Sequence, residues 1–233
     1  MILNVRGGLG MQVLETMVGY AKAIERNENV EAIEISTGGN VVDSVKHNFL
    51  ESVIESNLSI RVINSTLKQN AWSRENFKLL VKHYDEVRNK ISVKDVNVPL
   101  SFTIFHVRGK DRQLVSAENY LKILEFFDIC SNDFFLLSDD YELAKKIKSQ
   151  RSSLITFSNS NDPVRDWIMC TKTKNLFGAF STFTLSAWLM HPEIYYTVLG
   201  PKYNDKMSLA REYYEMLTIL FEGISGNGNI RFD

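Results

Sequence analysis

Net charge, cysteine and long apolar runs are all scarce in this chain, and each scarcity excludes something. The formal charge is -1 over 233 residues, which removes a general electrostatic case for nucleic acid or an anionic membrane surface as the main partner. Only two cysteines occur, Cys130 and Cys170. Neither has a metal-ligand neighbour at short spacing, so both read as buried thiols rather than as a disulfide framework or a zinc site. No apolar stretch approaches the length a spanning helix needs. The opening Met1–Val5 runs straight into a strand pattern without a basic segment followed by an apolar one, so the expectation is no signal peptide and a cytoplasmic protein. Internal repeats and low-complexity tracts are likewise missing.

What remains is an ordinary globular balance, 44% hydrophobic and 24% charged, in a chain long enough for one large domain or two small ones. The pattern alternates strand and helix. Met1–Val5 is a short apolar run, followed by Gly7, Gly8 and Gly10, and then by Leu14, Met17, Val18 and Ala21 at helical spacing. Val30–Ile35 and Ile60–Ile63 are further strand candidates, and Thr37-Gly38-Gly39-Asn40 reads as a turn. Arg74–Asn89 has a helical stripe. After the polar stretch Val93–Val98 and Pro99 the pattern restarts. Strands are expected at Ser101–Val107, Asp133–Leu137, Leu154–Phe157, Asn175–Phe180 and Tyr195–Leu199. Helices are expected at Ala117–Phe127, Tyr141–Gln150, Val164–Lys172 behind Pro163, a segment through Met190, and Asp205–Phe221. Such alternation predicts an α/β fold with mainly parallel sheets. The restart divides it into two Rossmann-like units, residues 1–98 and 99–222, with a loose Gly/Asn-rich tail over 223–233.

Ligands of doubly wound sheets bind at the carboxyl ends of strands, and the polar motifs fall there. In Arg6-Gly7-Gly8-Leu9-Gly10-Met11-Gln12, glycines between strand and helix either cradle an anion at the helix N-terminus or make a tight turn. Val13 stands where a dinucleotide fingerprint would need its third glycine, which argues against a nicotinamide enzyme. In His106-Val107-Arg108-Gly109-Lys110-Asp111-Arg112, the planar fork of Arg108 suits phosphate, Lys110 and Arg112 add charge, and Asp111 can hold Arg108. Alternatively this is a charged surface loop. Asp139 and Asp140 after Leu137-Ser138 can bind a metal-diphosphate or cap the next helix. Ser181 and Thr182, where strand meets helix, can grip phosphate or serve as an N-cap. Asp166 lies within a largely apolar helix, where an acid needs a partner or a ligand unless it faces solvent.

Taken in order, these elements resemble the α-1,2-fucosyltransferases. Gly7-Gly8-Leu9-Gly10-x-Gln12 is similar to their GGLGNQ opening, and His106–Asp111 to HxRRGD. Ser138-Asp139-Asp140 resembles their SDD segment. Asp166 through Cys170, then Ser181-Thr182-Phe183-Thr184 and Ala187-Trp188-Leu189, resemble D-x-x-x-M-x-x-C followed by NSTFSWWGAWL. The likeness spans about residues 5–190. Met11 departs from Asn, Glu15 from a common Gln, Gly109-Lys110 from Arg-Gly, Phe180 from Asn, and Leu185-Ser186 from a tryptophan pair.

The resemblance implies two Rossmann-like domains facing across a cleft, the GT-B arrangement, with a last helix that crosses back to the first half. It implies an inverting transfer of fucose from GDP-fucose to a glycan hydroxyl, without a bound metal or other cofactor. Arg108 would bind the diphosphate and His106 would shape the nucleotide pocket. Asp166 would read a guanine edge, and Ser181 and Thr182 would contact phosphate. Gly8 and Gly10 would let the first-half loop close over the donor, with Asp139 a further donor contact. For a general base, Asp111 lies in the right motif and Glu15 near the glycine loop. The alternatives are a transferase of another nucleotide-linked hexose and a nucleotide-binding α/β protein without catalysis.

Overall fold

The computed structural model describes residues 1–36, 48–64, 72–98, 100, 103–109, 114–126, 134–150, 156–157 and 162–231. Its first half begins with strand β1 (Ile2–Arg6), helix α1 (Leu9–Glu25) and strand β2 (Ala32–Ser36). A short helix α2 (Leu50–Val53), strand β3 (Ile54–Glu55) and strand β4 (Ser59–Ile63) follow. β1, β2 and β4 form a parallel three-stranded sheet in that order. Period-2 alternation is visible in β1, where Leu3 and Val5 are buried between more open neighbours, as expected for a strand with one covered face.

The expected helix over Arg74–Asn89 is two helices, α3 (Arg74–Lys82) and α4 (Tyr84–Arg88). His83 breaks the run: at φ -113° and ψ 17° it is the C-cap of one and the N-cap of the other. Strand β5 (Ser92–Val93) then pairs antiparallel with β3. The polar stretch after it is pinned to the second half, because Lys172 Nζ donates to Asp95 Oδ1 at 2.8 Å and to the Val96 carbonyl at 2.7 Å.

The second half contains β6 (Thr103–Val107), α5 (Ala117–Phe126), β7 (Phe134–Ser138), α6 (Tyr141–Gln150) and β8 (Thr156–Phe157). It continues with α7 (Pro163–Lys172), β9 (Asn175–Gly178), α8 (Thr182–Met190), β10 (Tyr195–Leu199), α9 (Met207–Gly223) and β11 (Gly228–Arg231). Its sheet is parallel and six-stranded, in the order β11-β10-β9-β6-β7-β8. β6 is buried at all five positions, which fits a central strand covered on both faces. The tail expected to be loose contributes an edge strand: Tyr196 to Leu199 of β10 lie in register with Gly228 to Arg231. Asn227 fixes the approach, its backbone N–H donating to the Pro192 carbonyl and its side-chain amide to the Glu193 carbonyl.

The two sheets are tied together by helices. α1 packs on β1 on one side and on α8 on the other, so Val13, Leu14, Met17 and Ala21 have no exposed surface. Ala and the long apolar residues on every side of α1 are what a helix buried all round requires. α9 reaches back to α3, where Gly223 lies against Val81. One continuous apolar core therefore includes residues of both halves. No helix among the described residues is long and apolar enough to cross a membrane.

Candidate functional site

In the six-stranded sheet the chain winds outward in two directions from its middle. β7 and β8 lie to one side of β6, and β9, β10 and β11 to the other. The crevice between the carboxyl ends of β6 and β9 is thus the topological switch point, the place where open α/β sheets bind ligands. Arg108 leaves one of these strands, and Ser181 and Thr182 follow the other.

Arg108 is held at three points. Its backbone N–H donates to the Tyr120 hydroxyl at 3.1 Å. The next N–H, of Gly109, donates to Asp139 Oδ1 at 2.7 Å. Asp139 Oδ2 stands 3.1 Å from Arg108 Nη1, with about a quarter of each side chain exposed, 26% and 28%. The carboxylate therefore orients the guanidinium without removing it from solvent. Asp139 and Asp140 divide the roles open to an acidic pair. Asp140 caps α6, its Oδ1 accepting from the Leu143 N–H at 3.1 Å, whereas Asp139 serves Arg108. A Cβ at position 109 would collide with the Asp140 side chain, so the second arginine of the resembling motif has no room there. Lys110, Asp111 and Arg112 lie outside the described residues.

Across the crevice, Ser181 caps α8 by accepting from the Phe183 N–H at 3.2 Å, and Thr182 is the first residue of that helix. The Phe183 ring stacks on His106, centroids 5.4 Å apart at 18°. His106 is buried, and its Nδ1 has no hydrogen-bond partner among the described residues. Burial pushes its imidazole down to about 4, with Asp139 opposing the shift and Arg108 adding to it. A neutral ring with an unsatisfied nitrogen carries a desolvation penalty that a bound polar group would relieve.

The glycine loop of the first half adjoins the same helix end. Gly7 has φ +86°, a left-handed conformation that glycine adopts without strain. Gly8 is the N-cap of α1, and a Cβ there would meet only open space. A Cβ on Gly10 would lie 2.5 Å from the backbone of Thr182 and Phe183, so this glycine lets α1 touch α8 and leaves no space for a ligand between them. Gln12, fully buried, fixes the loop: its Nε2 donates to the Gly7 carbonyl at 2.9 Å, and its Oε1 accepts from the Leu50 N–H at 3.1 Å. Glu15 Oε2 accepts the Arg6 N–H at 2.6 Å. Burial pushes its carboxyl up to about 7, against the lowering effect of Arg6 and, more weakly, Lys22.

Asp166 sits half-buried in the first turn of α7, its N–H bonded to the Asp162 carbonyl. Its charge adds to the burial that raises the Cys170 thiol. Cys170 is buried and unpaired, while Cys130 lies outside the described residues. Two positioning groups escaped the sequence reading, Tyr120 and Gln12. Tyr120 looks like one more apolar-face residue of its helix, and only the fold brings its hydroxyl to Arg108. Gln12 stood inside the glycine motif, which was the available signal. Among the described residues no group of three or more His, Cys, Asp or Glu side chains is arranged to hold a metal ion.

No family model matches the chain, and no curated protein matches it in sequence. Solved structures do resemble it. Crystals of the selenomethionine fucosyltransferase NodZ from Bradyrhizobium align with TM-score 0.50 at 10% identity, over 82% of this chain and 91% of that one. NodZ α-1,6-fucosyltransferase soaked with GDP-fucose aligns with TM-score 0.48 at 13% identity, over 82% and 92%. A putative UDP-N-acetylglucosamine 2-epimerase from Listeria monocytogenes aligns with TM-score 0.38 at 13% identity, over 91% and 66%. At such identities the likeness establishes the fold. The chain is an α/β protein with two Rossmann-like parallel sheets, the GT-B architecture.

Proposed function

We propose that this chain is an inverting glycosyltransferase that uses a nucleotide-sugar donor, with GDP-fucose the first donor to test and a glycan hydroxyl the acceptor. The observation that carries the reading is the braced Arg108 at the switch point of the six-stranded sheet, at the end of the strand next to the one that leads into the capped α8. In such a transfer the acceptor oxygen attacks the anomeric carbon and the bond to the diphosphate oxygen breaks. The electron pair leaves on the nucleoside diphosphate, and the acceptor proton passes to a base. The leaving group develops negative charge. Fixed donors stabilise that charge because they need no reorganisation as it forms.

Arg108 is suited to this task. A guanidinium offers parallel N–H bonds to two oxygens, and Asp139 fixes its plane before the donor arrives. The N-terminal N–H groups of α8, next to Thr182, add a partial positive charge. Ser181 retains its hydroxyl proton for a phosphate oxygen while its oxygen caps the helix. His106 meets the nucleotide as a neutral group, and Asp166 reads the guanine edge. No metal is required in this scheme, since fixed cations and N–H dipoles supply the stabilisation. Asp111 is the proposed base. Glu15 is the weaker candidate, because its carboxyl is buried and already accepts the Arg6 N–H.

A donor-hydrolysis screen tests the reading. Slow release of GDP from GDP-fucose, faster than UDP from UDP-sugars and unaffected by EDTA, is the expected result. Release of UDP alone would assign another donor. Turnover of none, together with binding of NAD, would overturn the proposal.

A further inference from the structure

Three tryptophans occur in the chain, and two of them, Trp167 and Trp188, are fully buried. Trp72 is only partly buried, and it stands just ahead of α3. It packs against Phe77 at 4.9 Å between ring centroids, Phe180 at 5.3 Å and Tyr213 of α9 at 5.6 Å. Phe180 and Tyr213 stack on each other at 5.0 Å and 14°. Phe180 immediately precedes Ser181, so this cluster touches the carboxyl end of β9 beside the proposed donor crevice. It also explains the departure at position 180: an aromatic ring completes the cluster where the resembling motif has Asn.

Trp72 forms one wall of a pocket of about 330 Å³ between α3 and α9. Its rim carries Arg74, Glu75, Glu212 and Glu215. Arg74 Nη2 lies 2.5 Å from Glu215 Oε2, and Arg211 Nε lies 3.4 Å from Glu215 Oε1. Glu215 thus carries an arginine on each of its two carboxylate oxygens.

We propose that this pocket is a binding subsite for a neutral oligosaccharide. A volume in the lower part of the range typical of small-ligand clefts, about 300–1,000 Å³, suits one or two sugar rings. The apolar face of a pyranose packs on an aromatic wall, and its hydroxyls can take both donors and acceptors from the charged rim side chains. Three carboxylates against two arginines, Arg74 and the adjoining Arg211, leave the rim net negative, which disfavours uronates and other acidic sugars. The role as the acceptor's outer subsite rests on the glycosyltransferase reading; the carbohydrate chemistry of the pocket does not.

Because the other two tryptophans are buried, acrylamide reaches Trp72 preferentially, and the quenchable emission reports on the pocket. In nucleotide-free protein, at least one of cellotetraose, maltotetraose, mannotetraose and chitotetraose at millimolar concentration is expected to shift the emission to the blue and protect it from acrylamide. Tetragalacturonate is expected to do neither. Glu212→Ala, a change on an exposed helix face, should weaken the binding about tenfold, as loss of a hydrogen bond to a charged group does. A Glu212→Ala melting temperature near that of the parent shows that the loss is local. No protection by any neutral tetrasaccharide, or equal protection by tetragalacturonate, overturns the subsite. GDP titration of the same sample separates the two claims. Tetrasaccharide protection without GDP binding leaves the subsite and removes the donor reading, and the converse removes the subsite alone.

Discussion

The ends of β1 and β6 are built from the same parts and do different things. Each strand delivers an arginine followed by a glycine, Arg6-Gly7 and Arg108-Gly109, and each arginine faces a carboxylate from the element beside it. At β1 the carboxylate is Glu15, its side chain only 3% exposed, with Arg6 Nε 3.6 Å away. At β6 it is Asp139, 28% exposed and 3.1 Å from Arg108. The glycines differ as well. Gly7 supplies a left-handed turn, whereas Gly109 makes room for the Asp140 side chain. At β1 only the carboxylate is folded into the shared core, where it anchors a loop, while the Arg6 side chain stays 41% exposed. The second pair is open to solvent at a switch point. Sequence alone makes the two look alike; what separates them is the carboxylate, buried at β1 and partly open at β6.

The largest expected effect comes from the open pair. Arg108→Ala should lower transfer by about 100- to 1000-fold, the usual cost of removing a fixed donor to developing charge. Arg108→Lys should do nearly the same, because an ammonium cannot form two parallel bonds. Arg6→Ala should stay within a few-fold in steady-state rate and appear instead as a lowered melting temperature. If Arg6→Ala abolishes transfer while Arg108→Ala spares it, the division between the two pairs is reversed.

Next is the contact between the two halves. Gly10→Ala places a Cβ against the Phe183 backbone, which cannot retreat as a flexible side chain can. A loss of about 1–3 kcal/mol is expected in denaturant unfolding. Gly8→Ala, with open space at that position, should cost much less. Equal effects would mean that α1 and α8 do not meet as described.

The alternation of strand and helix was readable from apolar periodicity because most elements follow it; Tyr141–Gln150 and Tyr195–Leu199 fall where the pattern put them. Local chemistry marked two helix starts, Pro163 and Ser181. What was not readable depends on contacts distant in sequence. β11 carries no alternating apolar pattern and becomes a strand by pairing with β10. The break at His83 lies inside a continuous helical stripe. The role of Gly10 is set by a helix more than a hundred residues away. At the site, the choice between cap and ligand for Asp139 and Asp140 depended on which carboxylate faced Arg108, a matter of register between β6 and β7.

Glu15 gives an effect of similar size that depends on pH. Its carboxyl is raised from 4.5 to about 7 by burial, so the folded state holds a proton that the unfolded state has released. Between about pH 4.5 and 7 the native form binds more protons, and stability falls as pH rises. The size is on the order of 2–3 kcal/mol across that window. Glu15→Gln should flatten this slope while keeping an acceptor for the Arg6 N–H. A slope unchanged by the substitution would assign it to another group.

The smallest expected effect is at Tyr120. Tyr120→Phe keeps the ring, which packs edge-on against Phe105, and removes only the acceptor for the Arg108 N–H. A stability loss of about 1–2 kcal/mol should follow from the unpaired donor. If Tyr120 also positions Arg108, the nucleotide dissociation constant should rise several-fold; an affinity equal to the parent's would make it a structural residue only.

On the proposed reading, the braced arginine at the switch point grips a nucleoside diphosphate. Calorimetric titration of GDP into the parent protein and into Arg108→Ala tests it most directly, with melting temperature as the control for folding. GDP should bind the parent and not the variant, with the two melting temperatures nearly equal. GDP affinity within a few-fold in a folded Arg108→Ala protein would mean that Arg108 only braces a loop with Asp139, and the donor site would lie elsewhere.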